Sequence, residues 1–170
     1  HLLNTIGKIQ EDQAVLIHAI GGGVGLNLTQ LAKLKGAKVI GTVGTPGKEH
    51  KPLGCGADLV IDRTKMDFVI EIEHILGKQP VELLIDSTGA EILDRSFQLM
   101  RNLGHVISYG EASGKPYPNL WEKLVEKSLT FSRLHIGHMD LTSDYWRDAQ
   151  KELQNLIKKE QLKLFIEEIF

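Results

Sequence analysis

The amino-acid sequence predicts an α/β fold: a doubly wound, mainly parallel sheet of six strands with helices on both faces. Three observations predict it. Short apolar runs alternate with stretches whose apolar residues recur at helical spacing, the pattern of parallel strands joined by right-handed crossovers. The runs are apolar throughout, as expected when both faces of a sheet are covered. A knot of glycines, Gly21, Gly22, Gly23 and Gly25, separates the first run from the first helical stretch.

The elements follow in order. Residues 14–19 (AVLIHA) form a first strand, bounded by Glu11, Asp12 and Gln13 before it and by the glycines after it. In the next stretch Val24, Leu28, Leu31 and Ala32 fall on one face of a 3.6-residue period. Lys33 and Lys35 lie in its last turn and Gly36 closes it. Residues 38–43 are a second strand, 48–53 a short helix and 59–61 a third strand. Residues 66–76 alternate apolar and acidic side chains at helical spacing, and 81–85 are a fourth strand. A helix over 91–100 puts Leu93, Phe97 and Met100 on one face, and 105–109 are a fifth strand. Residues 121–127 form a short helix and 129–132 a sixth strand. Thr142 or Ser143 caps a last helix with an apolar stripe of Trp146, Ala149, Leu153 and Leu156. The segment 110–119 is the most loop-like and follows a strand's C-terminal end, where such sheets place ligands.

Composition narrows the class of function. The 170 residues suffice for one domain with a core, and the formal net charge of -2 gives no polybasic field for nucleic acid or a membrane surface. No apolar run approaches the roughly 18 residues of a membrane helix. The start lacks the charged and apolar regions of a signal peptide, and also an initiator Met, as in a fragment or processed product. The one cysteine, Cys55, fits a reducing compartment, so a cytoplasmic protein is expected.

The glycine knot carries the chemistry. A strand, a tight turn and a helix N-terminus make an anion site, because free N–H groups and the helix dipole both favour a phosphate. This is the context of the dinucleotide-binding (Rossmann) fingerprint, in which glycines admit the pyrophosphate and let helix and strand pack closely. Against G-x-G-x-x-G, Ile20 takes the first glycine position, while Gly22 and Gly25 take the other two. NAD-binding domains carry an acid about 20 residues on, at the end of the second strand, for the ribose 2′-OH. Here residues 41–48 hold none. Gly44 and Thr45 leave room there for a larger group. Lys48, with Arg63 after the third strand as a second candidate, can supply charge to a 2′-phosphate, so the expected cofactor is NADP(H).

The stretch 15–43 resembles the cofactor domain of the zinc-independent quinone oxidoreductases, members of the medium-chain dehydrogenase/reductase superfamily. The A-x-x-G-x-x-G motif stands as AIGGGVG over 19–25, followed in family order by GAD over 56–58, IDSTG over 85–89, SYGEASG over 108–114 and KSLTFSRLHIGH over 127–138. The resemblance implies that Gly22, Gly23, Val24 and Gly25 lie at the pyrophosphate. It implies that Thr45 and Lys48 face the 2′-phosphate and that Ser87 and Thr88 line the cleft. It puts Tyr109, Gly110 and Glu111 near the nicotinamide. Three departures stand out: Gly44 where serine is common, Arg63 where tyrosine is common, and Glu111 where asparagine is common. Members carry a GroES-like catalytic domain before this segment and a short return after it. His1 falls in the entering helix and Phe170 where the chain turns back, so 1–170 resembles a single excised cofactor domain lacking the GroES-like one.

The implied function is hydride transfer from NADPH to a quinone or an activated enone, with no catalytic residue assigned within the segment. Two other readings stand: a free nucleotide-binding or redox-sensing module without turnover, and the enoyl reductase module of a polyketide or fatty acid synthase. No metal site is expected, because His135 and His138 lack further ligands. His18 is expected to be a packed core histidine and Cys55 an inert thiol. Asp86 ends the fourth strand, a position open to a catalytic role, but the expected role is to cap N–H groups of residues 87–89. Residues 129–132 would be the sheet's edge, which in the family pairs with a two-fold mate, so a homodimer is expected.

Overall fold

A computed structural model describes residues 1–115, 117 and 119–166. After a single π turn (Leu2–Ile6) the elements are β1 (Ala14–His18), α1 (Gly23–Leu34), β2 (Lys38–Val43), α2 (His50–Gly54), β3 (Leu59–Asp62) and α3 (Phe68–Leu76). Then come β4 (Val81–Asp86), α4 (Ala90–Ser96), β5 (Met100–Ser108), α5 (Leu120–Lys127), β6 (Thr130–Arg133) and α6 (Asp144–Lys158). The sheet order is β3-β2-β1-β4-β5-β6. Every neighbouring pair is parallel, so the sheet is wholly rather than mainly parallel. The chain steps outward from β1 to β3, then returns to the other side of β1 for β4. That reversal opens a crevice at the C-terminal ends of β1 and β4.

Local chemistry fixes the boundaries. β1 stops at His18, one residue short of expectation, because Ala19 turns to φ 52°. α1 ends in a Schellman motif on Gly36, at φ 75°, with Gly36 N–H donating to Lys33 O (2.9 Å) and Ala37 N–H to Ala32 O (3.1 Å). Asp67 caps α3 by accepting from Val69 N–H and Ile70 N–H. Ser143, rather than Thr142, caps α6 by accepting from Trp146 N–H.

The largest departure lies between α4 and β5. The expected helix over 91–100 ends at Ser96, a 3₁₀ turn covers Phe97–Leu99, and Met100 already pairs with Val81. The buried Lys127 ammonium explains the early stop. It donates to the carbonyls of Phe97 (2.9 Å), Gln98 (3.0 Å) and Met100 (3.0 Å), satisfying acceptors that the helix end leaves without intrahelical donors. A register shift between Val81 and Leu83, with Leu103 at φ 62°, lets β5 run from Met100 to Ser108.

Two apolar clusters cover the sheet. Phe68, Ile72, Leu93, Phe97 and Leu99 fill one face, and Leu3, Leu28, Ala32, Ala37 and Ala57 the other. The last helix is more loosely held: Trp146, Ala149 and Leu156 are half-buried, and Leu153 is exposed. Trp146 stacks on the His1 ring at 5.5 Å.

Candidate cofactor site

The glycines are spaced by the packing they permit. A Cβ on Gly25 would lie 2.5 Å from both Cα and O of Ile20, so only glycine lets α1 start this close to the turn. A Cβ on Gly21 would lie 2.9 Å from Lys48 O, so Gly21 lets the loop after β2 lean onto the turn. Above Gly23 there is open space. Gly22 is the N-cap of α1 and gives no side-chain cap, and the first turn holds no acid. The first N–H groups of α1 are therefore left for an outside acceptor, and the dipole selects an anion.

Ile20 in the first glycine position has a structural cause. Its side chain is fully buried and fills the place where a residue at Gly41 would put a Cβ, 2.3 Å from Ile20 Cδ1. The space normally made by a glycine in the turn is made here by a glycine on β2.

The ends of β2 and β3 are cationic. Gly44, Thr45 and Lys48 are exposed along one turn, in which Lys48 N–H donates to Thr45 O (3.4 Å). Lys48 makes no ion pair among the described residues. Arg63 N–H donates to Val43 O (3.0 Å), and its half-buried side chain reaches back over β2. There Arg63 Nη2 comes within 2.9 Å of where a Cβ on Gly44 would be. Arg63 Nε is buried without a hydrogen-bond partner. Burial presses the guanidinium's pKa down, and the carboxylates of Asp86 and Asp62 oppose that. The neighbouring Asp62 is occupied: it accepts from Thr64 N–H (2.9 Å) and Thr64 Oγ1 (2.7 Å) and lies 3.1 Å from Lys65 Nζ.

The ends of β4 and β5 are polar and internally paired. Asp86 is fully buried and accepts from Thr88 N–H (3.0 Å), Thr88 Oγ1 (2.5 Å) and Gly89 N–H (2.8 Å), the capping role its position suggests. The loop after β5 folds onto it: Tyr109 N–H donates to Asp86 O (2.9 Å), Ala112 N–H to Ser87 O (3.0 Å) and Ser113 N–H to Thr88 O (3.0 Å). A Cβ on Gly110 would lie 3.0 Å from Ser87 O, so this contact also needs a glycine. Burial raises the Tyr109 phenol's pKa, and a hydrogen bond with Ser87 works against it. Glu111 pairs with Arg133 at the end of β6 (3.5 Å), so its carboxylate has a countercharge. A cavity of about 300 Å³ opens beside this pair, lined in part by Gly89, Ser108, Tyr117 and Phe131.

The sequence identified His18 as core but not what it joins. Its ring bonds to Thr42 Oγ1 on β2 and Ser96 Oγ on α4, each at 2.7 Å, and meets Phe68 edge-on. Burial drives its pKa down to about 4. Ser96 lies 78 residues away, and no local signal marks it. Cys55 is half-buried and burial raises its thiol pKa, as expected of an inert thiol. His135 and His138 lie 5.0 Å apart, and His135 accepts from Gly137 N–H (3.1 Å). Among the described residues no three His, Cys, Asp or Glu groups come together as a metal site, and no helix is long and apolar enough to cross a membrane.

The fold and this crevice define a class. Residues 23–157 match the family of zinc-binding dehydrogenases, and the chain belongs to that family. Within it the likeness is to the cofactor-binding part of quinone oxidoreductases. Quinone oxidoreductase 1 of Escherichia coli K12 is 34% identical over 169 residues, 99% of this chain and 52% of that protein. A 2-haloacrylate reductase of a Burkholderia species is 35% identical over 118 residues, 69% of this chain and 35% of that protein. The crystal structure of E. coli quinone oxidoreductase complexed with NADPH superposes with a TM-score of 0.86 at 34% identity, covering 94% of this chain and 49% of that one. The chain thus spans about half the length of the quinone oxidoreductase it matches.

Proposed function

We propose that this chain is the NADP(H)-binding domain of a quinone oxidoreductase-like enzyme that passes a hydride from NADPH to a quinone or an activated enone. One observation carries the cofactor reading. The uncapped start of α1 lies beside two cations, Lys48 and Arg63, that no carboxylate pairs with at the end of β2. Gly22, Gly23, Val24 and Gly25 would hold the pyrophosphate, by N–H donation and by leaving room. Gly44, Thr45, Lys48 and Arg63 would receive the 2′-phosphate. Ser87, Thr88, Tyr109, Gly110 and Glu111 would border the nicotinamide. The nicotinamide supplies the hydride, and the residues of this chain orient it and keep its surroundings dry. The acceptor and the groups that choose it belong to the remainder of the enzyme, a GroES-like domain in this reading. Two copies would meet through the open edge of β6.

Calorimetric titration with NADPH and NADH, repeated on Lys48→Ala, tests the reading. NADPH should bind more tightly than NADH, and Lys48→Ala should weaken NADPH alone by about 1–3 kcal/mol, the cost of a lost charge-assisted contact. Equal affinity for the two cofactors would overturn the phosphate assignment. Binding of neither would return the glycine turn to a purely structural role.

A further inference from the structure

Three side chains from three elements meet where β1 enters the glycine turn. Thr42 on β2, His18 at the end of β1 and Ser96 on α4 are each fully buried. His18 Nδ1 lies 2.7 Å from Thr42 Oγ1, and His18 Nε2 lies 2.7 Å from Ser96 Oγ. The direction of these bonds follows from the far end. Ser96 Oγ–H donates to Ile92 O (2.6 Å), and a carbonyl can only accept. The one proton of the Ser96 hydroxyl is thereby used, so towards His18 the serine accepts and Nε2 carries the ring hydrogen. Burial, opposed by Asp86 on β4 and helped by Arg63 after β3, drives the ring's pKa down to about 4, so it is neutral at pH 7. In a neutral ring with hydrogen on Nε2, Nδ1 is the acceptor, and Thr42 Oγ1–H donates to it.

The same threonine grips the turn from its other side. Ala19, the next residue after His18, has φ 52°, a left-handed conformation with a steric cost for alanine. Ile20 N–H then donates to Thr42 O (3.1 Å), and Ala19 O accepts from Gly22 N–H (3.0 Å). Thr42 thus holds the residue before Ala19 by its hydroxyl and the residue after it by its carbonyl. We infer that Thr42, His18 and Ser96 form a one-way hydrogen-bond chain that fixes this turn before the dinucleotide arrives, with His18 a positioning residue in its Nε2–H form. The inference rests on the cofactor reading above and goes beyond it, giving a role to three residues to which that reading assigns no contact with the dinucleotide. They act through the fraction of molecules whose turn is already in the binding form, and apparent affinity scales with that fraction.

Two measurements on the 170-residue chain test it. In nitrogen-15 NMR spectra at pH 7 the His18 ring, assigned by its loss in His18→Gln, should show hydrogen on Nε2 and a bare Nδ1. A ring with its hydrogen on Nδ1 would overturn the inference. Calorimetric titration with NADPH and NADH follows on the unaltered chain, Thr42→Val, Thr42→Ser and Ser96→Ala, with urea unfolding to show that each is folded. Thr42→Val and Ser96→Ala should weaken both dinucleotides alike by about tenfold, a loss the size of one buried hydrogen bond. Thr42→Ser keeps the hydroxyl and should bind as the unaltered chain does. Folded Val and Ala variants that bind both dinucleotides undiminished would leave the three residues to core packing and overturn the inference, with the cofactor reading intact. So would a loss confined to NADPH, which would belong to the 2′-phosphate. An unaltered chain that binds neither dinucleotide would take down the cofactor reading and the inference with it.

Discussion

The two halves of the sheet end in opposite ways. Where β2 and β3 finish, Lys48 and Arg63 make no ion pair among the described residues and the buried Arg63 Nε has no hydrogen-bond partner. Where β4, β5 and β6 finish, the charges are already satisfied: Asp86 by three donors, Glu111 by Arg133, and Asp94 by Tyr117 and Lys123. Buried polar groups are normally paired within the protein. In the proposed reading the half that leaves them open receives the phosphates, and the half that closes them borders the nicotinamide. The contrast matches a dinucleotide laid across the crevice, phosphates to one side and nicotinamide to the other.

The comparison is broken most severely at the turn both halves share. Gly25→Val should destabilise the chain by about 3 kcal/mol or more, because its Cβ meets the Ile20 backbone rather than a side chain that can yield. Urea unfolding measures this, and a loss under about 1 kcal/mol would mean that α1 can lift away from the turn at little cost.

A second test separates the halves with pH. His18 bonds to Thr42 in one and Ser96 in the other, and it is the neutral ring that fits there. Its folded pKa of about 4 lies below the unfolded 6.5, so its contribution is complete above pH 6.5 and drains away as pH falls towards 4. Unfolding free energies should fall by about 2–3 kcal/mol more over that window than in His18→Gln, which cannot titrate. Parallel curves would show that the ring is not what joins the halves.

The smallest effect sharpens the contrast. Glu111 and Arg133 are both substantially exposed, so Glu111→Gln should change stability by less than about 1 kcal/mol. It should also leave the ratio of NADPH to NADH affinity unchanged, because the proposed reading puts the 2′-phosphate at the other half. A changed ratio in the same titration would show the paired half reading the phosphate as well.

Much of this was legible in the chain. The six strands and their alternation followed from apolar runs, and the turn between β1 and α1 from the glycines that mark it. The lack of an acid before Glu49 pointed to the cationic strand end. What escaped was set by distance. The stop of α4 depends on Lys127, some 30 residues further on, and the wholly parallel edge on how β6 meets β5. Arg63 was readable as a candidate ligand, but its seat over Gly44 depends on two strands lying side by side. Ile20 in the turn likewise makes sense only with Gly41 opposite. The expected return of the chain past residue 166 lies outside the described residues.

The strand order has a consequence for how the chain is made. β1 lies at the centre of the finished sheet, between β2 and β4. Synthesis delivers β2 and β3 first, and β4 begins only at Val81. Until then one whole side of Val15, Leu16 and Ile17 is an open, apolar edge, the kind that recruits strands from other molecules. A ribosome that stalls while residues 63–80 are emerging therefore presents that open edge, and relief comes only with the fourth strand.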